Sequence, residues 1–118
     1  SFHDWRTMRE SKYQADLIGR IKQRLPGCFV MKQDSSYVQG IPDLVIFFES
    51  QWAMLEVKKS KDEKYEPNQE YYLESLGEMS FTSTIYPENE AEVLDALQSA
   101  FGVGRPSRLP QPKHKRVG

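Results

Sequence analysis

Apolar positions along this chain follow two different periods. Tyr13, Leu17, Ile18, Ile21 and Leu25 recur at the spacing of one helix face. They predict a helix from Glu10 that Pro26-Gly27 stops. Cys28-Phe29-Val30-Met31 is a short apolar run of strand length, and residues 33–42 are polar and turn-rich, as a loop would be. Leu44-Val45-Ile46-Phe47-Phe48 is apolar on both faces, which predicts a central strand covered on both sides. Glu49-Ser50-Gln51 is short enough for a hairpin turn. Trp52 to Lys58 would then return antiparallel, ending in an alternation that sets Glu56 and Lys58 on one face.

Beyond a charged loop at 59–66, Pro67 suits the first turn of a second helix. Tyr71, Tyr72, Leu73 and Leu76 form its apolar side and Gly77 ends it. Phe81 to Tyr86 is a β-branched fourth strand. Pro87 and Glu88 open a last helix with Ala91, Val93, Leu94, Leu97 and Phe101 in period, closed by Gly102 and Gly104. The expected order is α-β-β-β-α-β-α, a small mixed sheet flanked by helices and too short for a doubly wound nucleotide fold. Residues 1–9 show no period and read as an N-terminal extension to a domain at 10–102. Residues 103–118 combine Gly, Pro and basic residues without a period and read as a disordered tail.

Composition narrows the class. A length of 118 residues suffices for one core and not two. No apolar run approaches the ~18 residues of a membrane span, and no charged-then-apolar leader opens the chain. Cys28 is the lone cysteine, so an intrachain disulfide is excluded and a cytoplasmic location is expected. The net charge of −1 conceals an uneven distribution. Arg105, Arg108, Lys113, Lys115 and Arg116 lie in an acid-free tail, leaving 11 basic against 17 acidic residues over 1–104, a balance of −6. An acidic body with a basic arm suits a cation site beside a polyanion-binding segment, and equally a solvated terminus.

The chemistry concentrates at one end of the predicted sheet. Asp43 opens the second strand, and Glu56 and Lys58 close the third. A hairpin turn at 50–51 brings the three together. Two carboxylates there supply hard oxygen ligands for Mg²⁺, which keeps several waters and prefers such partial sites. A neighbouring lysine would lower the pKa of a water or stabilise phosphoryl charge. Each element alone is as readily a common turn or a chance triplet; the joint occurrence on adjacent strands is what points to phosphodiester hydrolysis.

Gly40-Ile41-Pro42-Asp43-Leu44, followed twelve residues on by Glu56-Val57-Lys58, resembles the PD-(D/E)XK nuclease core. With Gln69 opening the next helix, the pattern is similar in particular to the VRR-NUC branch found in phage proteins and DNA-repair nucleases. Archaeal Holliday-junction resolvases share the layout. The resemblance covers residues 10–100 and implies a restriction-endonuclease-like single α/β domain.

It further implies a divalent metal, Mg²⁺ with Mn²⁺ as substitute, bound by Asp43, Glu56 and the main-chain carbonyl of Val57. Lys58 would orient or activate the attacking water, and Gln69 would contact the site or the DNA backbone, or simply face water at a helix start. Relatives add an acid from the first helix. Glu10 is the choice here as a further ligand, and Gln14, one turn later on the same face, is the alternative. Asp16 falls elsewhere on the wheel, on the surface. Some nucleases of the superfamily carry Gln-x-x-x-Tyr after the Glu-x-Lys element; here Leu73 stands at the fourth position, so the recombination-type variant is not expected.

The implied activity is a Mg²⁺-dependent, structure-selective DNA endonuclease for four-way junctions, acting as a homodimer without membrane attachment. Alternatives are a flap- or nick-directed nuclease and a silent DNA-binding module. Lys32, Lys59, Lys61 and Lys64 flank the site and would meet phosphates, or belong to a solvated charged loop. Tyr37 and Tyr65 would stack on bases or pack under loops. His3 and His114 have no partner at metal spacing, and Cys28 reads as a small buried apolar residue.

Overall fold

The computed structural model describes the backbone of residues 2–103 and the side chains of 11–103. Helix α1 spans Phe2–Arg24 and strands β1, β2 and β3 span Phe29–Lys32, Leu44–Phe48 and Gln51–Val57. They are followed by α2 (Gln69–Gly77), β4 (Phe81–Ile85) and α3 (Glu90–Phe101). This is the expected α-β-β-β-α-β-α order. Helix α1 starts well before Glu10, where its apolar period begins, because the backbone stays helical through residues that offer no period. The basic tail, with Arg105 to Arg116, lies outside the described residues, as do the side chains of Glu10 and His3 and all of His114.

The sheet order is β1-β2-β3-β4. Strands β1, β2 and β3 pair antiparallel, and β4 joins β3 in parallel, so α2 is the crossover that parallel pairing requires. The β2–β3 hairpin turns in two residues, Glu49-Ser50, with Glu49 at φ 56°.

One face of the sheet carries the core. Leu44, Ile46, Ala53, Leu55 and Ile85 are buried there under Leu17, Ile21 and Leu25 of α1 and Val93, Leu94, Leu97 and Phe101 of α3. Burying a side chain of this size contributes about 1.5–3 kcal/mol. Polar ties lock α1 to α3. Glu90 accepts from the Arg20 guanidinium at 2.5 and 2.9 Å and from the Tyr13 hydroxyl at 2.9 Å. Arg24 reaches Asp95 at 2.5 Å and Gln98 at 2.8 Å.

The opposite face alternates in register with the core face and forms rows across the strands. Phe29, Phe47 and Trp52 make one row, and Met31, Val45, Met54 and Thr82 the next. Helix α2 has no fully buried residue and packs over β3 and β4. Phe29, Met31 and Phe47 therefore stay exposed on the β1–β2 half. Cys28 is half-buried against the core rather than fully inside it, and burial pushes its thiol up. Among the described residues, no helix is long and apolar enough to cross a membrane.

Candidate active site

The third row of that second face is where the polar residues meet. The β1–β2 pairing continues one step past the strands, since the Gln33 N–H donates to the Asp43 carbonyl at 2.8 Å. Extending the β2–β3 register by one step sets Asp43 opposite Glu56, and Glu56 pairs with Thr84 of β4. Asp43 is half-buried where the chain enters β2, while Glu56 and Lys58 are only 1% and 3% exposed. Two charged residues this deeply buried require partners.

Asp43 is tethered by its own sheet. Its Oδ2 accepts the Val57 N–H at 2.8 Å, replacing the ladder bond that β2 no longer supplies. In a strand the N–H and C=O of one residue point to the same side, so the Val57 carbonyl also faces Asp43. The Lys58 N–H points the other way, to the Ile85 carbonyl at 2.9 Å.

Gln69 links Glu56 to Lys58. Its Nε2 donates to Glu56 Oε2 at 2.6 Å, while its Oε1 accepts from Lys58 Nζ at 2.7 Å and from the Glu66 N–H at 2.7 Å. Lys58 Nζ also donates to the Lys64 carbonyl at 3.1 Å. Glu63 Oε2 stands 3.5 Å from the same ammonium, and the Tyr65 ring lies 5.5 Å away. Tyr65 is anchored by a 2.6 Å hydrogen bond between its hydroxyl and that of Thr84.

Glu56 Oε1 has no hydrogen-bond partner, and it stands alone in this among the buried side-chain oxygen and nitrogen atoms of the described residues. Burial pushes the Glu56 carboxyl up to about 9; the adjacent Asp43 adds to the rise and Lys58 opposes it. A buried acceptor facing a second carboxylate is incomplete until a proton or a cation occupies the gap. The residues fit a divalent cation on that ground, with Asp43, Glu56 and the Val57 carbonyl as hard oxygen donors. Among the described residues no three His, Cys, Asp or Glu side chains gather as a metal cluster, so the donor set is a partial one.

An open cavity of about 360 Å³ lies over this row, lined by Asp43, Glu56, Lys58 and Gln69 and by Ser11, Tyr13 and Gln14 of α1. Gln14 therefore faces the site from the first helix. Glu10 is one turn earlier on α1, with its side chain outside the described residues. Asp16 is on the surface, paired with Lys12 at 3.3 Å. Lys32, Lys59, Lys61 and Lys64 are all exposed, and of the four Lys59 lines the cavity. Tyr37 projects into solvent at 88% exposure rather than packing under its loop.

Two features escape a reading of the sequence. Glu63 turns inward from a loop whose composition is that of a solvated segment, and no local signal marks it. Glu90 carries a fold-level role in joining α1 to α3, and its carboxyl is held below the usual range chiefly by the Arg20 guanidinium. Its place at the helix start is equally that of any dipole-compensating acid.

A mixed four-stranded sheet between helices, with an acid pair and a lysine at one sheet end, defines a restriction-endonuclease-like α/β domain. More particularly, the fold is that of VRR_NUC domains. A solved structure described as a VRR_NUC domain matches at 20% identity and a TM-score of 0.61, over 74% of this chain and 95% of that one. A second, described as a VRR_NUC domain protein, matches at 16% identity and a TM-score of 0.58, over 80% and 89%. Archaeoglobus fulgidus Hjc, a Holliday junction resolvase from an archaeal hyperthermophile, matches at 17% identity and a TM-score of 0.46, over 64% and 67%. No family model and no curated protein matches the chain.

Proposed function

We propose that this chain is a divalent-metal-dependent DNA endonuclease that hydrolyses phosphodiester bonds. The observation that carries the reading is the unpartnered Oε1 of buried Glu56, a residue that lines one cavity with Asp43. A buried carboxyl oxygen left without a partner is costly unless function supplies one.

Asp43, Glu56 and the Val57 carbonyl would hold Mg²⁺ or Mn²⁺, with Glu10 of α1 as a further ligand. A cation there would supply Lewis-acid stabilisation of a phosphoryl oxygen. The chain's own residues do the rest. The Val57 N–H fixes the Asp43 carboxylate, Gln69 sets Glu56 and Lys58 in a fixed relation, and Lys58 offers an ammonium donor to the attacking water or to the phosphate. The substrate in this proposal is branched DNA, a four-way junction first and a flap or nick second. Two copies of the chain would act together; exposed Phe29, Met31 and Phe47 offer apolar area of the kind that associates.

Thermal unfolding under Mg²⁺ or Mn²⁺ titration tests the site without a substrate. Added metal is expected to raise the melting temperature by mass action, and Asp43→Asn or Glu56→Gln to abolish the rise. The absence of a metal response would exclude this reading. Cleavage of a panel of four-way junction, flap, fork, linear duplex and single strand, with Lys58→Ala as control, then assigns the substrate. Symmetric nicking of the junction supports resolution, and flap-only cutting refutes it.

A further inference from the structure

The Lys58 ammonium has three hydrogens and two firm acceptors, the Lys64 carbonyl at 3.1 Å and Gln69 Oε1 at 2.7 Å. Near the third stands Glu63 Oε2 at 3.5 Å, beyond hydrogen-bond length but close enough for an ion pair. Glu63 is itself held. Its Oε1 accepts the Lys59 N–H at 2.9 Å, and its own N–H donates to the Ser60 carbonyl at 3.2 Å. The loop bearing it is pinned again where the Lys61 N–H meets Glu88 and the Tyr65 hydroxyl meets Thr84. Lys61, Asp62 and Lys64 of this loop are exposed, and Glu66 is exposed but also lines the cavity; Glu63 is 26% exposed and lines the same cavity as Asp43 and Glu56.

We propose that Glu63 is a positioning residue, a carboxylate strap from the Lys59 backbone to the Lys58 ammonium that aims the third Lys58 donor into the cavity. The proposal rests on the hydrolytic reading of the site. The arrangement gives Glu63 two separable jobs. One oxygen closes the local turn through a neutral hydrogen bond, and the other supplies a negative charge to a lysine that burial has cut off from water. At 3.5 Å the charge steers the ammonium without consuming its hydrogen, which stays available to a substrate oxygen. The Cε–Nζ bond and two hydrogen bonds set the direction of the third N–H, and the negative charge beside it holds the ammonium in that orientation.

Glu63→Gln separates the two jobs, because the amide oxygen keeps the bond to the Lys59 N–H while the charge is lost. In the full chain, the ¹⁵N-detected ammonium resonance of Lys58, assigned by its loss in Lys58→Arg, is expected to be slowly exchanging in the unmodified protein and broadened away in Glu63→Gln. On a cleavable substrate, Glu63→Gln and Glu63→Ala are expected to lower kcat by at least about tenfold while KM stays the same. An intact Lys58 resonance or an unchanged kcat in Glu63→Gln overturns the proposal. A lower KM with kcat preserved also overturns it, since Glu63 would then only repel DNA. If the unmodified chain cleaves none of the substrates, the hydrolytic reading fails, and the resonance alone still decides whether Glu63 positions Lys58.

Discussion

Glu56 is buried on a face where a leucine or methionine would pack at no electrostatic cost, and its Oε1 accepts no hydrogen bond. In the chain without metal its elevated carboxyl means that the folded state keeps a proton the unfolded state has released, from the ordinary carboxylate range up to about 9. Stability falls as pH rises across that window. Glu56→Gln removes the penalty and supplies an amide N–H to the neighbouring Asp43. It is expected to stabilise the metal-free protein by about 1–3 kcal/mol at pH 8 and by much less at pH 5, as read by thermal unfolding at the two values. The same variant loses the metal response, so stability and function pull this residue in opposite directions. Asp43, Glu56 and Lys58 were legible because strand alternation and a short turn suffice to bring them together. Glu63 was not, because its direction depends on a backbone amide and an ammonium that only the folded loop presents to it.

Gly40 shows how the elements are tied to one another. The loop between β1 and β2 crosses the start of α2 so closely that a Cβ on Gly40 would lie 2.6 Å from the Asn68 Cβ and 2.7 Å from the Pro67 carbonyl oxygen. Its φ of 92° is also one that L side chains rarely adopt. Asn68 directly precedes Gln69, so pressure there moves the residue that joins Glu56 to Lys58. Gly40→Ala is expected to cost about 1–3 kcal/mol in thermal unfolding and to weaken cleavage further than that loss of stability explains. Most elements were legible from their periods, since an apolar stripe reports its own burial. Helix α2 begins two residues after Pro67 rather than around it, because Asn68 at φ 71° is left-handed and interrupts the helical backbone. The length of α1 and the parallel placement of β4 were likewise beyond local pattern. The first has no period to read, and the second depends on where the α2 crossover lands.

Across the whole molecule the charge is segregated. The acids of the site belong to the sheet end, and the five basic residues of 105–118 follow the last helix. A near-zero total therefore says little about affinity for a polyanion, because phosphate contacts respond to local cations. Removing 105–118 is expected to weaken DNA binding and flatten its salt dependence, measured by anisotropy over a range of ionic strength. The metal-induced rise in melting temperature is expected to be unchanged.

The order of apolar and polar residues alone predicts four strands and three helices and brings Asp43, Glu56 and Lys58 to one sheet end; Gln69 enters only through the family resemblance. Periodicity and turn length are short-range properties, written in neighbouring residues. The tertiary structure decides what those groups become. It buries Glu56 with its Oε1 unpartnered, turns Gln69 to both neighbours and brings Glu63 to the Lys58 ammonium. Burial and charge proximity arise from residues distant in the chain, and they exist only once the strands, the loop and α2 have packed.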